Sequence, residues 1–296
     1  MRRLVLLCVA ALGCAPDFGQ PSSLVTEARV LAVRGTPAEV RPGTDVAFDT
    51  LVVSPDGTDT TAALGWALCA TPKPLDENNV VSTGCLGDDG VTPVGSAGPT
   101  QIINVPLDAC QLFGPDPPPS KPGEPPLRPR DPDISGGFYQ PVRVTRAPLS
   151  GFGLERISCN LASAGADVAI EFAMRYQANN NPKLLPLTAS APLEALPAGG
   201  PVTFTAAWPP ESAESYPVYD VVAQQIVDHR EALRVSWFAT AGSFEHERTG
   251  RDEGELETST DDLWTAPAGP GTYHLWVVLR DSRGGIDFAG YDVTVQ

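Results

Sequence analysis

The sequence predicts an all-β chain folded as two sandwiches. Short alternating apolar runs recur about every 10–15 residues between Pro/Gly turn signals, which suits packed antiparallel sheets rather than βαβ units. Only one segment carries a helical repeat. The tail PAGPGTYHLWVVLRDSRGGIDFAGYDVTV joins two long alternating runs through a tight glycine turn.

Ahead of the first strand, MRRLVLLCVAALGC sets Arg2 and Arg3 before the apolar run Leu4–Leu12, followed by Gly13 and Cys14. Charge, a short apolar run and small residues in that order predict a secretory signal over residues 1–13. The run is far shorter than the roughly 20 residues of a membrane-spanning helix. Ala11-Leu12-Gly13-Cys14 resembles a bacterial lipobox, which implies lipidation of Cys14 and attachment to a membrane through N-terminal lipid. Residues 14–23, small, polar and Pro-containing, are expected to form a lipidated tether. Ala15 after the cysteine, in place of Asp, implies sorting to the outer membrane.

The first sandwich is expected over 24–190. Ala28–Arg34 alternates, Pro42-Gly43 turns the chain, and Asp45–Val53 puts Val46, Phe48, Thr50 and Val52 on one face. Leu64–Ala70 adds a strand carrying Trp66, and further strands are expected at Thr100–Leu107 and Gly137–Thr145. Between these last two lies 114–133, in which nine of twenty residues are proline. Lacking ladder donors, it reads as an extended surface loop. The helix is expected over 163–178, where Val168, Phe172 and Tyr176 recur four apart with Ala169 and Ala173 beside them. Ser163 is its expected N-cap, Asp167 suits its positive end, and NNNP at 179–182 stops it. Its apolar stripe is expected to pack on the first sandwich.

The second sandwich is expected over 191–296. Val202, Phe204, Ala206 and Trp208 share one side of a strand, and Leu233, Val235 and Trp237 point inward from another. Tyr216–Val227 fits a strand or a connection equally well. The charged run ERTGRDEGELETSTDD predicts a solvated loop with a short edge strand. Tyr273, just after a Pro/Gly corner and two residues before the inward Leu275, matches the tyrosine corner of immunoglobulin-like sandwiches. Val277 and Leu279 continue the inward face, and Gly284 or Gly285 is expected to take positive φ in the DSRGG hairpin. Tyr291, Val293 and Val295 close the sheet, with Trp237 at its centre.

Cysteine use agrees with export. Cys8 leaves with the signal and Cys14 takes lipid, so Cys69, Cys85, Cys110 and Cys159 remain. An even number in an oxidising compartment reads as two disulfides. Three pairings exist. Cys69–Cys85 with Cys110–Cys159 is favoured because the first closes the shortest loop, worth roughly 3 kcal/mol. A Cys₄ zinc site would require CxxC pairs, and the chain has none. The net charge of −16 makes the surface repel nucleic acid and anionic lipid headgroups, so neither is expected as a partner.

RVLAVRGTPAEVRPGTDVAFDTLV with WALC, the segment ending in NNNP, and the tail VSWFATAGSF…WTAP…VVLRDSRGG together resemble a set of uncharacterised envelope lipoproteins of GC-rich Gram-negative bacteria. The tail is also similar to bacterial PKD-like and other immunoglobulin-like surface repeats. The resemblance implies an envelope location and a sandwich architecture, and brings no catalytic residue with it.

No catalytic residue, cofactor or metal ligand is expected. His229, His246 and His274 stand outside any HExxH motif, and no GxSxG elbow precedes a helix. Asp56, Asp59, Glu77, Asn78, Asp88 and Asp89 put oxygen ligands in loops but lack EF-hand spacing, and read as acidic turns. His274, Trp276 and Val278 face away from the core of their strand. Packing against the first domain or against the charged loop is the expected cover for Trp276; the alternative is a patch for a protein or sugar ligand, since rings stack on aromatic side chains. Three functions compete: a structural or protein-binding envelope protein with a partner in the envelope, a carbohydrate-binding or adhesion module, and an enzyme. The first is expected, without catalysis.

Overall fold

Alternation in the first half of the chain becomes nine strands. They are β1 (Arg29–Thr36), β2 (Glu39–Val40), β3 (Asp45–Ser54), β4 (Gly57–Thr58), β5 (Leu64–Cys69), β6 (Val91–Ala97), β7 (Thr100–Asn104), β8 (Gly137–Arg146) and β9 (Leu149–Ser158). This computed structural model describes residues 20–72, 80–115, 117, 122–123, 134–161 and 164–296. The expected signal peptide, lipidation site and residues 14–19 of the tether lie outside the described residues, as do Glu77, Asn78, Ser163 and most of 114–133.

In one sheet β3 is flanked by β1 and β7, with β4 folded back on its end; the facing sheet runs β2-β9-β8-β5-β6. β2 pairs with β9 in parallel. The order is that of an immunoglobulin-like sandwich, strands A-B-E over A′-G-F-C-C′. Trp66, on the C strand, is 1% exposed and donates its indole N–H to the Gly98 carbonyl at 3.2 Å. Around it pack Val46, Phe48 and Val52 from β3 and Val142 and Val144 from β8.

Strand β9 is hidden in the sequence because glycines and charges interrupt its alternation. Those glycines are structural. A Cβ at Gly151 would stand 2.7 Å from the Val30 Cβ, and one at Gly153 would stand 2.8 Å from the Val33 Cβ. Their absence of side chains lets β1 close over β9. The expected strand from Thr100 stops at Asn104, two residues before Pro106.

The second half forms β10 (Thr188–Ala189), β11 (Pro201–Ala207), β12 (Ser215–Asp220), β13 (Gln225–Arg230), β14 (Leu233–Ala239), β15 (Ser243–Phe244), β16 (Arg248–Arg251), β17 (Ser259–Thr265), β18 (Gly271–Asp281) and β19 (Ile286–Val295). Two sheets, β10-β11-β17-β15 and β16-β14-β18-β19, set B and E strands (β11, β17) over C, F and G strands (β14, β18, β19). The Tyr273 hydroxyl donates to the Gly269 carbonyl at 3.0 Å, closing the tyrosine corner. Trp237 is fully buried on the C strand, and Gly284 takes φ +102° in the β18–β19 turn. The fold is therefore all-β, with two immunoglobulin-like sandwiches. Tyr216–Val227 resolves into the β12–β13 hairpin, inserted between the B and C strands.

Three expectations need correction. The helix α2 spans Ala166–Arg175, with Gly165 at its N-cap, following the short α1 (Ala109–Phe113). It packs on the β12–β13 hairpin of the second domain, while Ala169 and Ala173 stay exposed. Phe172 and Tyr176 stack with centroids 4.9 Å apart and turn the end of the helix toward the first domain. The second domain begins before residue 191, because β10 belongs to its sheet and Leu184 and Leu187 to its core. Residues 20–25, partly assigned to the tether, are laid on the second domain: the Val25 N–H donates to the Ala239 carbonyl at 2.9 Å, and the Ala239 N–H donates to the Ser23 carbonyl at 2.9 Å.

Candidate functional site: the domain interface

The outer face of β18 is where the two sandwiches meet. Trp276 is 1% exposed there and Val278 fully buried, packed with Val25, Leu31, Ala32, Leu51 and Val53 from the first domain's side of the seam. The Trp276 indole N–H donates to the Thr58 hydroxyl at 2.8 Å. A buried indole that has both apolar neighbours and an acceptor is satisfied in place. Trp276, the weak ligand-binding candidate, thus stands under the first domain with its ring covered.

Beside this apolar seam lies a buried polar joint. Glu39, from β2, is closed to solvent and receives four donors. The Arg156 Nε reaches it at 3.1 Å, the Tyr176 hydroxyl at 2.6 Å, the Ser158 hydroxyl at 2.6 Å and the Asn179 N–H at 2.9 Å. Burial disfavours the Arg156 charge, but Tyr176, Glu39 and Tyr139 outweigh it and raise its pKa. Burial also pushes the Tyr176 phenol up to about 12, so it stays a donor.

Across the joint stands Arg283, in the β18–β19 turn and 2% exposed. It donates to Glu231 at 2.6 Å, to Glu214 at 2.6 Å and to the Gln177 carbonyl at 3.1 Å. Its guanidinium carbon lies 4.7 Å from the Tyr216 ring centroid. The Arg283 carbonyl accepts from the Tyr139 hydroxyl of the first domain at 3.1 Å. Asp281 holds the turn by accepting from the Arg283 N–H at 2.9 Å and the Gly285 N–H at 2.8 Å.

The asparagines expected only to stop the helix thread between these two centres. Asn179 is 2% exposed and reaches Asp281 with its amide at 3.3 Å. Asn181 donates to the Gly35 carbonyl at 2.7 Å and accepts from the Ile286 N–H at 2.8 Å, one bond into each domain. Three adjacent asparagines before a proline were the available signal, since each carries a donor and an acceptor.

The histidines do not converge. His229 on β13 faces Glu253 at 3.0 Å, His246 faces Asp262 at 3.4 Å, and His274 on β18 faces Asp292 on β19 at 2.7 Å. Two of the acidic loop residues are paired, Asp59 with Arg146 at 2.8 Å and with Thr61, and Asp88 with Arg143 at 2.7 Å. Among the described residues no group of three or more His, Cys, Asp or Glu could hold a metal ion. No described helix is long and apolar enough to cross a membrane.

Both favoured disulfides form, Cys69–Cys85 with Cα atoms 5.5 Å apart and Cys110–Cys159 at 5.9 Å. Neither is the B–F bridge of antibody domains. Two such bridges belong to an oxidising compartment, outside the cytosol.

No protein-family model matches the chain, and no curated protein matches it. Solved structures give distant likenesses. The Yersinia pseudotuberculosis adhesin InvE is 9% identical, with 90% of this chain and 58% of that one covered and a TM-score of 0.26. Escherichia coli alpha-2-macroglobulin is 10% identical, with 93% and 22% covered and a TM-score of 0.23. Domains 4 and 5 of the S-layer protein SbsC are 11% identical, with 57% and 67% covered and a TM-score of 0.21. The chain thus spans little more than half of the adhesin structure and under a quarter of the macroglobulin. What the chain itself exhibits is a pair of immunoglobulin-like sandwiches joined through a buried interface.

Proposed function

We propose that this protein is a lipid-anchored component of the bacterial envelope with a structural or protein-binding role and no catalytic activity. The observation that carries the reading is the joint: Trp276, Asn181, Glu39 and Arg283 tie the two sandwiches to each other. A rigid two-domain body displays its surfaces to a partner without hinge motion. The sequence supports anchoring through Arg2, Arg3, the run Leu4–Leu12 and the lipobox-like ending at Cys14. The disulfides agree with export. The three histidines stand beside different carboxylates on separate parts of the second domain and do not converge.

The test is fractionation of the Cys14→Ser protein, followed by crosslinking in intact envelopes. The wild type is expected in the membrane fraction with a mass increment for acyl chains on Cys14, and the variant in the soluble fraction. Unchanged membrane fractionation of the variant would defeat the anchoring. A crosslinked envelope protein lost on disrupting this surface supports the binding role; turnover of a substrate by the purified chain would defeat the non-catalytic reading.

A further inference from the structure

Next to the covered Trp276 the interface opens into a cleft of about 850 Å³. Its floor is the outer face of β14, β16 and β18. Arg234 on β14 lies directly opposite Arg280 on β18, and Arg248 on β16 lies opposite Ser236, two residues further along β14. Its wall is β1, from which Arg29 reaches over the Phe238 ring at 5.6 Å. Ser22 stands on its rim.

Four arginines lining one cleft are unexpected in a chain of net charge −16, although Arg29 donates to the Leu24 carbonyl at 3.3 Å and to the Ser22 carbonyl. Like charges directly opposite on neighbouring strands destabilise a sheet. The lining residues offer one carboxylate, Glu247, and that group accepts from Ser22 and from the Ser23 N–H at 3.2 Å and hydroxyl at 3.1 Å. Arg234 pairs with Asp252, on the exposed side. Arg280 donates to the Leu31 carbonyl at 2.8 Å, and neither it nor Arg248 has a carboxylate within ion-pair distance among the described residues. Burial, with Arg248 as a like-charged neighbour, pushes the Arg280 pKa down to about 10. A compensating negative charge would relieve both effects.

We propose that this cleft is an oxyanion site for a phosphoryl group, gripped by Arg248 and Arg280 with Arg29 and Arg234 at its sides. Guanidinium forks bind phosphate through paired charge-assisted hydrogen bonds, and several oxygens let one group meet more than one fork. Ser236, which also lines the cleft, supplies a neutral donor. The chain's overall acidity does not forbid this, because at physiological salt charges more than about 8 Å away are largely screened.

Two sources carry that chemistry, a phospholipid headgroup or a soluble phosphate ester. The lipid source rests on the anchoring proposed above. Cys14 is eight residues before Ser22, so extended chain limits its acyl group to roughly 30 Å from the rim.

The test uses the full chain with inorganic phosphate, with chloride at matched ionic strength as the control. Phosphate is expected to raise the unfolding midpoint of the wild type. Arg248→Gln, at an exposed side chain, is expected to weaken the response about tenfold, as loss of one charge-assisted contact would. Arg280→Lys, which keeps the charge, should retain more of it than Arg280→Gln. A midpoint that does not respond to phosphate, or responds equally in wild type and both glutamine variants, overturns the site.

Flotation of the Cys14→Ser protein with phosphatidylcholine vesicles, with and without phosphatidic acid, separates the sources. Binding that requires phosphatidic acid and Arg248 assigns a headgroup; a phosphate response without flotation assigns a soluble ester. Flotation independent of Arg248 and Arg280, without a phosphate response, overturns the proposal. Failure of the anchoring itself would show in the fractionation of Cys14→Ser and leave the phosphate measurement untouched.

Discussion

The Arg156 guanidinium stands 3.1 Å from the Glu39 carboxylate, with the two side chains 2% and 0% exposed. A buried pair of this kind repays its desolvation only when every remaining lone pair and proton is used. Here Tyr176, Ser158 and Asn179 complete Glu39, and Tyr139 and Ser135 help complete Arg156.

Removing one partner should therefore cost more than removing both. Arg156→Leu alone is expected to lower stability by about 3–5 kcal/mol, since it strands a buried carboxylate. Adding Glu39→Leu should recover part of that loss. Urea unfolding of the two single variants and the double variant measures it. A double variant as unstable as the sum of the singles would show that the two side chains act independently.

Much of the fold was legible because inward faces alternate plainly. Val202, Phe204, Ala206 and Trp208 are each no more than 1% exposed, and the Tyr273 hydroxyl bond follows from its place after the Pro/Gly corner. Strand β9 was not legible, because Gly151 and Gly153 serve close packing and Glu155 and Arg156 are polar side chains that are nonetheless buried. Alternation detects apolar burial alone. The joint escaped for the same reason: Asn179, Asn181 and Arg283 are polar, distant in sequence, and become partners only when both sandwiches have formed. The arginine cleft is likewise a product of register, which sets Arg234 opposite Arg280.

Glu155 makes stability depend on pH. Burial, then the charge on Glu39, pushes its carboxyl up to about 9, and its Oε1 has no hydrogen-bond partner. The folded state thus holds a proton that the unfolded chain releases near pH 4.5. Between those values the native state binds more protons, so this group's contribution to stability falls as pH rises, by up to about 1.4 kcal/mol per pH unit. Below the unfolded value the contribution is fully present. Glu155→Gln, a neutral near-isostere, should be less sensitive to pH from 5 to 9 in denaturant titrations. Equal slopes in wild type and variant would mean that Glu155 is ionised in the folded chain.

Trp276→Ala should separate the joint without unfolding the second sandwich, because its ring packs in the seam and outside that domain's core. Truncating a buried Trp costs about 3–5 kcal/mol. The expected signature is one cooperative unfolding transition in the wild type and two in the variant. Asn181→Ala, which removes a bond to each domain, should act in the same direction by about 1–3 kcal/mol. A single transition retained in both variants, with unchanged midpoint, would show that the sandwiches are coupled elsewhere.

The two disulfides should differ in worth. Cys69–Cys85 closes a separation of 16 residues and Cys110–Cys159 one of 49, spanning the Pro-rich 114–133. In the chain-entropy model the first stabilises by about 3 kcal/mol and the second by about 4, since the longer loop loses more freedom in the unfolded chain. Paired alanine replacement of Cys110 and Cys159 is thus expected to lower the urea midpoint further than replacement of Cys69 and Cys85. Cys85 is fully buried beside Cys69, Val91 and Phe113, so its replacement also leaves a cavity and narrows the gap. Reversal of the order would mean that packing around Cys69–Cys85 outweighs loop closure. Peptide mapping without reductant checks that each variant keeps its remaining bridge.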